Sequence, residues 1–212
     1  MLFRSGGTAA GGNAYLLNYC LPRSISINAD RSGLTSLSAD LFAQNIAEST
    51  AVAAAATAVP VSKFMSGRLW SVATGTALAS GTFTSYNYAL DFGLTINTGI
   101  QRQAYLAGTT VFSTHAESDP FGGELTITVQ SNAAASLAWY QSLGSQKFVR
   151  LVWTDGTYTA TIYTSIIVSD VSPISGSEDG LTTMAITGTL AYDPTSGKTM
   201  QVVIANSINA LP

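Results

Sequence analysis

The chain has 212 residues, of which 46% are hydrophobic and only 10% are charged, and its net charge is −3. The length fits one domain with a sizeable core, the hydrophobic content argues against intrinsic disorder, and nine Lys and Arg against 12 Asp and Glu argue against tight nucleic-acid binding. Because a soluble domain ordinarily carries roughly 25% charged residues, the low charge favours a subunit covered by its neighbours over a free monomer.

The first 22 residues are rich in glycine and end at Pro22. They contain one Arg and no long apolar stretch before the glycines, so they do not read as a signal peptide. We interpret residues 1–22 as an N-terminal arm that is flexible or ordered by a partner. Cys20 is the only cysteine, which excludes an intrachain disulfide, and we expect it to be a small buried side chain. Residues 24–29 predict a short strand.

Residues 34–60 admit two interpretations. Ser38 is suited to cap a helix, and four residues would then share one helical face. They are Leu41, Phe42, Asn45 and Ile46. The same segment is compatible with a long loop that contains a hairpin, and loops of this length inside a domain are usually functional.

The domain organisation follows from these segments. The Ala-rich stretch at residues 51–58 is too short and too interrupted to cross a bilayer, and we expect a soluble protein made in a cytoplasm. We predict one β-rich domain over residues 23–205 with a long insertion at residues 34–60. Residues 206–212 then form a C-terminal tail.

Strand patterns dominate the chain after the insertion. Two alternating segments predict strands with one buried face. Their inward residues are Leu90, Phe92, Leu94, Ile96, Leu125, Ile127 and Val129. Asp155 and Gly156 give the strongest hairpin signal, a type I′ turn, followed by a long return strand over residues 157–170. An exposed acidic loop is expected at residues 172–180 before two last strands.

One helix is predicted over residues 133–143. Asn132 is its N-cap, and Gly144 ends it as the residue after the C-cap. Leu137 and Tyr140 are three residues apart and form one apolar stripe. The sum of these elements is a mainly β domain, either a two-sheet β-sandwich or a partly open barrel, with one flanking α-helix.

The chain offers few residues for chemistry. His115, the only histidine, alternates with Glu117 and Asp119, and on an extended strand the three would line one face as a metal or acid–base cluster. One His without a second nitrogen or thiolate ligand makes a poor zinc site, and a solvated loop before Pro120 accounts for the same residues. We predict no catalytic, cofactor-binding or metal-binding residues.

Two further features have structural interpretations. The segment SGKT at residues 196–199 lacks the glycine that a phosphate-binding loop needs at position 192, and no helix follows it, so we interpret it as a β-turn. Trp70, Trp139 and Trp153 are expected to be core or interface anchors and not platforms for sugars.

Four successive segments carry a resemblance to a known family. They are LDFGLTINTGIQRQAYLAG, GGELTITVQ, NAAASLAWYQSL and KFVRLVWTDGTYTATIYTSIIV. An alternating strand with a polar exit, a glycine-preceded strand, a helix and a strand hairpin follow one another in that order. This order resembles the tail tube proteins, or major tail proteins, of long-tailed bacteriophages. The resemblance covers roughly residues 62–205 by element order and rests on no invariant motif.

The resemblance implies a structural virion protein and no enzyme. Such proteins form six-membered rings that stack into the tail tube, and DNA passes through the lumen without specific binding. The implied partners are other copies of the chain, a tape measure protein, a tail terminator and DNA, with no membrane. The implied location is the virion tail, assembled in the host cytoplasm. The arm, the insertion and the C-terminal tail would lock ring to ring.

Two other classes of function stay open at the level of sequence. One is a different virion or surface module, such as a capsid decoration, collar or fibre protein, because a fold does not fix a function. The other is a carbohydrate-binding or hydrolase-like β domain, which the Trp and Tyr content and the His115 segment support.

Overall fold

The structure is a computed structural model that describes residues 2–4, 14–18, 20–43, 45–49, 65–78, 81–103, 114–117, 120–131, 133–178 and 180–205. Within these ranges the chain is mainly β, with fifteen strands and one short α-helix. The prediction of a mainly β protein with a single helix is confirmed.

The strands alternate with short connections along most of the chain. They are β1 (Leu2–Arg4), β2 (Ala14–Asn18), β3 (Leu21–Asp30), β4 (Ser36–Phe42), β5 (Asn45–Ser49), β6 (Trp70–Gly75), β7 (Phe83–Tyr86), β8 (Ala89–Asn97), β9 (Ile100–Gln103), β10 (Thr114–Glu117), β11 (Gly122–Gln130), β12 (Gln146–Thr154), β13 (Thr159–Glu178), β14 (Leu181–Leu190) and β15 (Met200–Ala205). The helix is α1 (Ala133–Tyr140), and one 3-10 turn (Gly67–Leu69) precedes β6.

Most strands belong to one large sheet. Its order is β4-β3-β8-β11-β14-β13-β12-β6-β7, and β15 pairs with β13 beside this path. The pairs formed by β11, β14, β13, β12 and β6 in that order are antiparallel, as is the pair of β13 with β15. Two small sheets have the orders β1-β2-β5 and β10-β9.

The chain divides into two compact units. The first comprises Met1–Ile25, Ser38–Lys63 and Asn97–Phe121, and the second comprises Ser26–Leu37, Phe64–Ile96 and Gly122–Pro212. The first unit contains both small sheets. The predicted limits of the arm, the insertion and the tail do not coincide with these units and stay predictions.

The second unit has a hydrophobic core built from alternate residues of several strands. In β11 the exposed fractions of Leu125, Ile127 and Val129 are 0%, 1% and 0%. Phe92 and Leu94 of β8 are buried as well. The alternation predicted for both strands is thereby confirmed, because successive strand residues point to opposite faces of a sheet.

The large sheet folds over on itself to enclose this core. The rings of Trp70 in β6 and Phe92 in β8 lie 5.0 Å apart between centroids, at an interplanar angle of 76°. These strands are five steps apart in the sheet order. Because neighbouring strands are about 4.8 Å apart, a flat sheet would separate them by roughly 24 Å. Both sides of the core therefore come from one hydrogen-bonded sheet.

The predicted hairpin at Asp155 and Gly156 is confirmed, but its turn type is wrong. Strands β12 and β13 pair from Thr154 to Thr159, so the loop has four residues and not the two of a type I′ turn. Gly156 has φ +88°. The Asp155 carboxylate accepts hydrogen bonds from the amides of Thr157 at 2.9 Å and Tyr158 at 2.8 Å. This side-chain-to-backbone turn widens the connection.

The prediction of a loop at residues 172–180 is wrong for residues 172–178, which form a strand, whereas the predicted exposure is confirmed at Gly176, Ser177 and Gly180. Strand β13 runs for 20 residues to Glu178, with register shifts at Val168/Asp170 and at Ser172/Gly176. Its partner β14 supplies hydrogen bonds to the backbone, and the register shift between Ser172 and Gly176 accommodates the proline that composition alone assigns to a loop. The return occurs at Gly180, whose φ is +78°.

The insertion at residues 34–60 forms strands and not the alternative helix where it is described. Residues Ser36–Phe42 are β4, which pairs with β3, and Asn45–Ser49 are β5, which pairs with β2. Backbone pairing with another strand outweighs a weak helical pattern. Residues 51–58 lie outside the described residues. Elsewhere, the strand predicted at residues 24–29 is confirmed within β3, and Cys20 is half-buried.

The helix is shorter than predicted, and its apolar stripe faces solvent. Residue Gly144, with φ +73°, still ends the turns that follow α1. The helix buries Trp139, whose exposed fraction is 6%, whereas Leu137 and Tyr140 are 56% and 55% exposed. The predicted cap, Asn132, lies outside the described residues.

Candidate functional site

The structure places part of the His115 segment in a small two-stranded sheet. His115 and Glu117 lie in β10, opposite Arg102 and Ile100 of β9, so the segment is a strand there and not a loop. Asp119 lies outside the described residues. Within the described ranges, no group of three or more His, Cys, Asp or Glu side chains is arranged to hold a metal ion.

The SGKT segment is a turn, as predicted. Asp193 and Lys198 form an isolated bridge, and Gly197 between them has φ +68°. The Asp193 carboxylate accepts hydrogen bonds from the amides of Thr195 at 3.0 Å and Ser196 at 3.2 Å. Hydrogen bonding by Ser196 and Thr195 lowers the pKa of Asp193 against the opposing effect of its burial. The residues of this segment therefore act on their own backbone.

An acidic cleft of about 500 Å³ lies in the second unit. Its polar lining consists of Asn28, Asp30, Ser36, Asp91, Thr95, Glu124 and Thr126. Hydrogen bonds from the Ser32 hydroxyl and amide lower the pKa of Asp30, whereas burial raises the pKa of Asp91 despite hydrogen bonds from Thr128. Acid–base sites use carboxyl groups whose pKa values differ. Here the Asp30 carboxylate accepts hydrogen bonds within its own turn, and the Asp91 carboxyl is hydrogen-bonded to Thr128 of the neighbouring strand.

A second cleft of about 370 Å³ is lined by Arg31, Arg68 and Trp70. The Arg68 side chain donates a hydrogen bond to the Arg31 carbonyl at 3.1 Å, and the Trp70 indole donates one to the Thr35 hydroxyl at 2.7 Å. The Trp70 ring also packs edge-on against Phe92, so both its nitrogen and one side of its ring are engaged within the fold.

The other two tryptophans are structural anchors. Trp139 and Trp153 are 6% and 5% exposed, and Trp139 packs edge-on against Tyr86 with ring centroids 6.3 Å apart. The prediction that the tryptophans are core anchors is confirmed for these two residues.

A small aromatic cluster covers the opposite face of the sheet from the core. The Arg150 guanidinium lies 5.0 Å from the centroid of the Phe83 ring, and Phe83 packs edge-on against Tyr163 at 5.6 Å. A Cβ added at Gly75 would lie 2.7 Å from that ring, so the glycine makes room for it. The cluster connects β6, β7, β12 and β13 through contacts between residues of this chain.

Strand β15 exposes apolar side chains on both of its faces. Val202, Val203 and Ile204 are 50%, 44% and 66% exposed. In the part of the chain that the structure describes, β15 pairs with β13 alone, which leaves one edge without a partner strand. No charged residue follows Lys198 in the sequence. Unprotected apolar edges of this kind are sites of pairing with another chain.

The outer side of α1 carries a second exposed apolar surface, which we call the ridge: Leu137, Tyr140 and Leu143. Their exposed fractions are 56%, 55% and 40%. Residues three apart on a helix are neighbours on its surface, and Leu143 continues the row in the turn after α1. No charged residue occurs between Glu124 and Lys147, so the helix and the turn after it carry no charge of their own.

Strand β4 is another edge strand, and unlike β15 it carries a charged residue. Strand β4 ends the sheet order and carries Asp40 near its middle. A charge on an edge strand discourages pairing with another sheet. Because β15 carries no charged residue, its edge lacks the protection against pairing with another sheet that Asp40 gives to β4.

Comparison with known proteins identifies no relative. No protein-family model matches the sequence, and no curated protein is significantly similar to it. Among the described residues, no helix has the length and apolar character needed to span a membrane.

Sequence reasoning missed both exposed surfaces. The sequence patterns predict an apolar stripe on the helix and a last strand, but they do not predict that either is exposed. Two signals mark them: the uncharged stretch between Glu124 and Lys147, and the three consecutive apolar residues of β15, which are typical of a strand covered on both faces.

Proposed function

We propose that the protein is a structural subunit that assembles with copies of itself, and that the assembly is the tail tube of a long-tailed bacteriophage, built from stacked hexameric rings. The observation that carries the proposal is the pair of exposed, uncharged apolar surfaces on β15 and α1. A soluble monomer seldom leaves such surfaces open, and their usual purpose is contact with another protein.

The sheet architecture supports the finer fold that this function needs. A mainly β sheet that folds over a single core, with β6 against β8, fits a two-sheet β-sandwich or partly open barrel. Its open edge at β15 is the feature that continuous pairing between subunits would remove. Head-to-tail contacts between different surfaces of identical copies generate rings or filaments.

The charge balance supports passage of DNA and not its capture. Phosphate contacts require Lys and Arg, and the chain has nine of these against 12 acidic residues. In this proposal DNA passes through the lumen without specific binding. The arm at residues 1–22, the insertion at 34–60 and the tail at 206–212 hold successive rings together, and a tape measure protein and a tail terminator are further partners. The location is the virion tail, assembled in the host cytoplasm.

Electron microscopy of the concentrated, purified protein tests the proposal. We expect elongated particles with a regular axial repeat in negative stain. A chain that stays monomeric at all accessible concentrations, measured by light scattering after size exclusion, would overturn it. Trimeric particles would instead favour a decoration, collar or fibre module.

The carbohydrate-binding alternative has less support from the side chains. Trp139 and Trp153 are buried, and Trp70, which is half-buried, contacts Phe92 and donates a hydrogen bond to Thr35. Calorimetric titration of glycans into the protein is expected to give no heat of binding, and a saturable signal would revive that alternative.

A further inference from the structure

We infer that the ridge of one copy packs against β15 of the next copy, so that the two exposed apolar surfaces are the two halves of one head-to-tail contact. The inference rests on the proposed function, because it names the surfaces through which copies meet. Both surfaces belong to the second unit of the chain.

The ridge is held outward by the way α1 is anchored. Trp139 is buried and packs edge-on against Tyr86. After the helix, the amide of Gly144 donates a hydrogen bond to the Val168 carbonyl at 2.9 Å, and the amide of Val168 donates one to the Ser145 carbonyl at 3.2 Å. With the helix fixed at its aromatic anchor and at its C-terminal end, Leu137 and Tyr140 cannot rotate into the core.

The exposed residues of β15 lie on the core-facing side of the sheet but extend past the side chains that cover the core. Met200 packs against the core cluster. Val202 pairs with Ile162, and Ile204 pairs with Ala160, so both lie on the core-facing side of the sheet. They are nonetheless 50% and 66% exposed. Because alternate strand residues share a face, Met200, Val202 and Ile204 form one row, and among the described residues the layer that covers its beginning does not extend to its end.

The chemistry of the missing layer selects another copy of this chain. A partner with charges at the contact would have to desolvate them against Val202 and Ile204, and β15 itself carries no charged residue that could pair with them. The ridge offers an uncharged apolar layer of three large side chains, with an aromatic residue at its centre as interface cores favour. Since the two surfaces differ, their contact is heterologous and propagates from copy to copy.

Two surface variants test the pairing. The ridge variant carries Leu137→Ser and Tyr140→Ser, and the strand variant carries Val202→Lys and Ile204→Lys. All four side chains are at least half exposed, so we expect thermal unfolding close to that of the wild type under dilute conditions. Each variant alone should shift the midpoint concentration for assembly at least about tenfold upward. Leu37→Ser, at a side chain 71% exposed on β4, is the matched control and should assemble like the wild type.

Mixing the two variants gives the decisive readout. The ridge variant retains an intact β15, and the strand variant retains an intact ridge, so one functional contact remains. An equimolar mixture should therefore stop at a heterodimer in light scattering. Dimers formed by either variant alone, or mixtures that grow beyond two copies, would overturn the head-to-tail pairing.

The outcomes separate this inference from the proposed function. A wild type that never assembles overturns both. A wild type that assembles together with variants that assemble equally well overturns only the pairing. If a variant unfolds, Tyr140→Cys and Ile204→Cys in a Cys20→Ser background provide the test: oxidation should link copies only when both new cysteines are present. Absence of that cross-link in assembled protein overturns the pairing.

Discussion

Strands β11 and β15 lie in the same sheet and carry similar aliphatic side chains, yet they end in opposite environments. In β11, Leu125, Ile127 and Val129 alternate with polar residues and are at most 1% exposed. In β15, three apolar residues follow one another and are 44% to 66% exposed. Strand β11 has neighbours on both edges, whereas β15 pairs with β13 alone among the described residues. A consecutive apolar run is typical of a strand covered on both faces, so the comparison supports the proposal that another copy covers β15.

The largest expected effect is a difference in the free energy of unfolding between a variant in β11 and a variant in β15. Leu125→Ala should lower the free energy of unfolding by about 3 kcal/mol, because it removes a fully buried side chain and leaves a cavity. Val203→Ala should change it by less than about 0.5 kcal/mol in dilute protein, since nearly half of that residue is already exposed to solvent. Urea unfolding below the assembly concentration measures both. Equal losses would show that β15 is covered in the isolated copy.

A second experiment tests how closely the buried part of the sheet is packed. Gly188 of β14 lies beside Leu125, and a Cβ added there would lie 2.6 Å from the end of the Ile166 side chain. Gly188→Ala should therefore cost about 1–3 kcal/mol. Gly176→Ala is the matched control, because the nearest atom to its Cβ would be the Thr183 hydroxyl at 3.6 Å. Calorimetric melting of both variants is the measurement, and a neutral Gly188→Ala would contradict tight packing there.

A third, smaller effect is expected at the hairpin that precedes β13, the strand that pairs with β15. Gly156→Val should destabilise the protein by about 1–2 kcal/mol, because φ is +88° at this position and β-branched residues avoid that region. A Cβ there would have open space around it, so the cost comes from the backbone alone. Gly33→Val, also in open space but without a positive φ, controls for loss of glycine. Identical melting temperatures for the two variants would argue against the turn conformation.

The smallest effect concerns the outer face of β11, where Thr128 hydrogen-bonds to Asp91. Burial raises the pKa of Asp91 above its ordinary value of 3.8, so the folded state binds this proton more tightly than the unfolded state does. The resulting stabilisation is present below pH 3.8 and is lost as the pH rises through the raised pKa. Asp91→Asn should therefore gain stability relative to the wild type as the pH rises across this range.

Asp193 provides the control of opposite sign for that titration. Hydrogen bonding by Ser196 and Thr195 lowers its pKa below 3.8, so its stabilisation is present above pH 3.8 and is lost as the pH falls through the lowered pKa. Asp193→Asn should be less stable than the wild type at neutral pH, with the difference shrinking in acid. Urea unfolding between about pH 7 and about pH 3 measures both variants, and slopes of the same sign would contradict the assignment.

Local patterns predicted the type of most elements well. Alternation in β8 and β11 identified both the strands and their buried faces, and Asp155 with Gly156 located a hairpin. The same reasoning failed where pairing or anchoring by distant residues decides. Strand β13 extends through a segment whose Pro and Gly favour a loop, because β14 pairs with it. The candidate contact surfaces escaped prediction because exposure is a property of the whole fold and not of a segment.

Local sequence specifies the mainly β class, the glycines at the turns and the shortage of charge, because strand periodicity and backbone conformation depend on adjacent residues. Which side of each element is covered depends on packing between distant parts of the chain. This packing turned Trp139 inward and left Leu137 and Tyr140 in solvent, and it carried Val202 and Ile204 beyond the edge of the core. The side chains that bury each face come from residues distant in sequence, so no local pattern shows which face stays exposed.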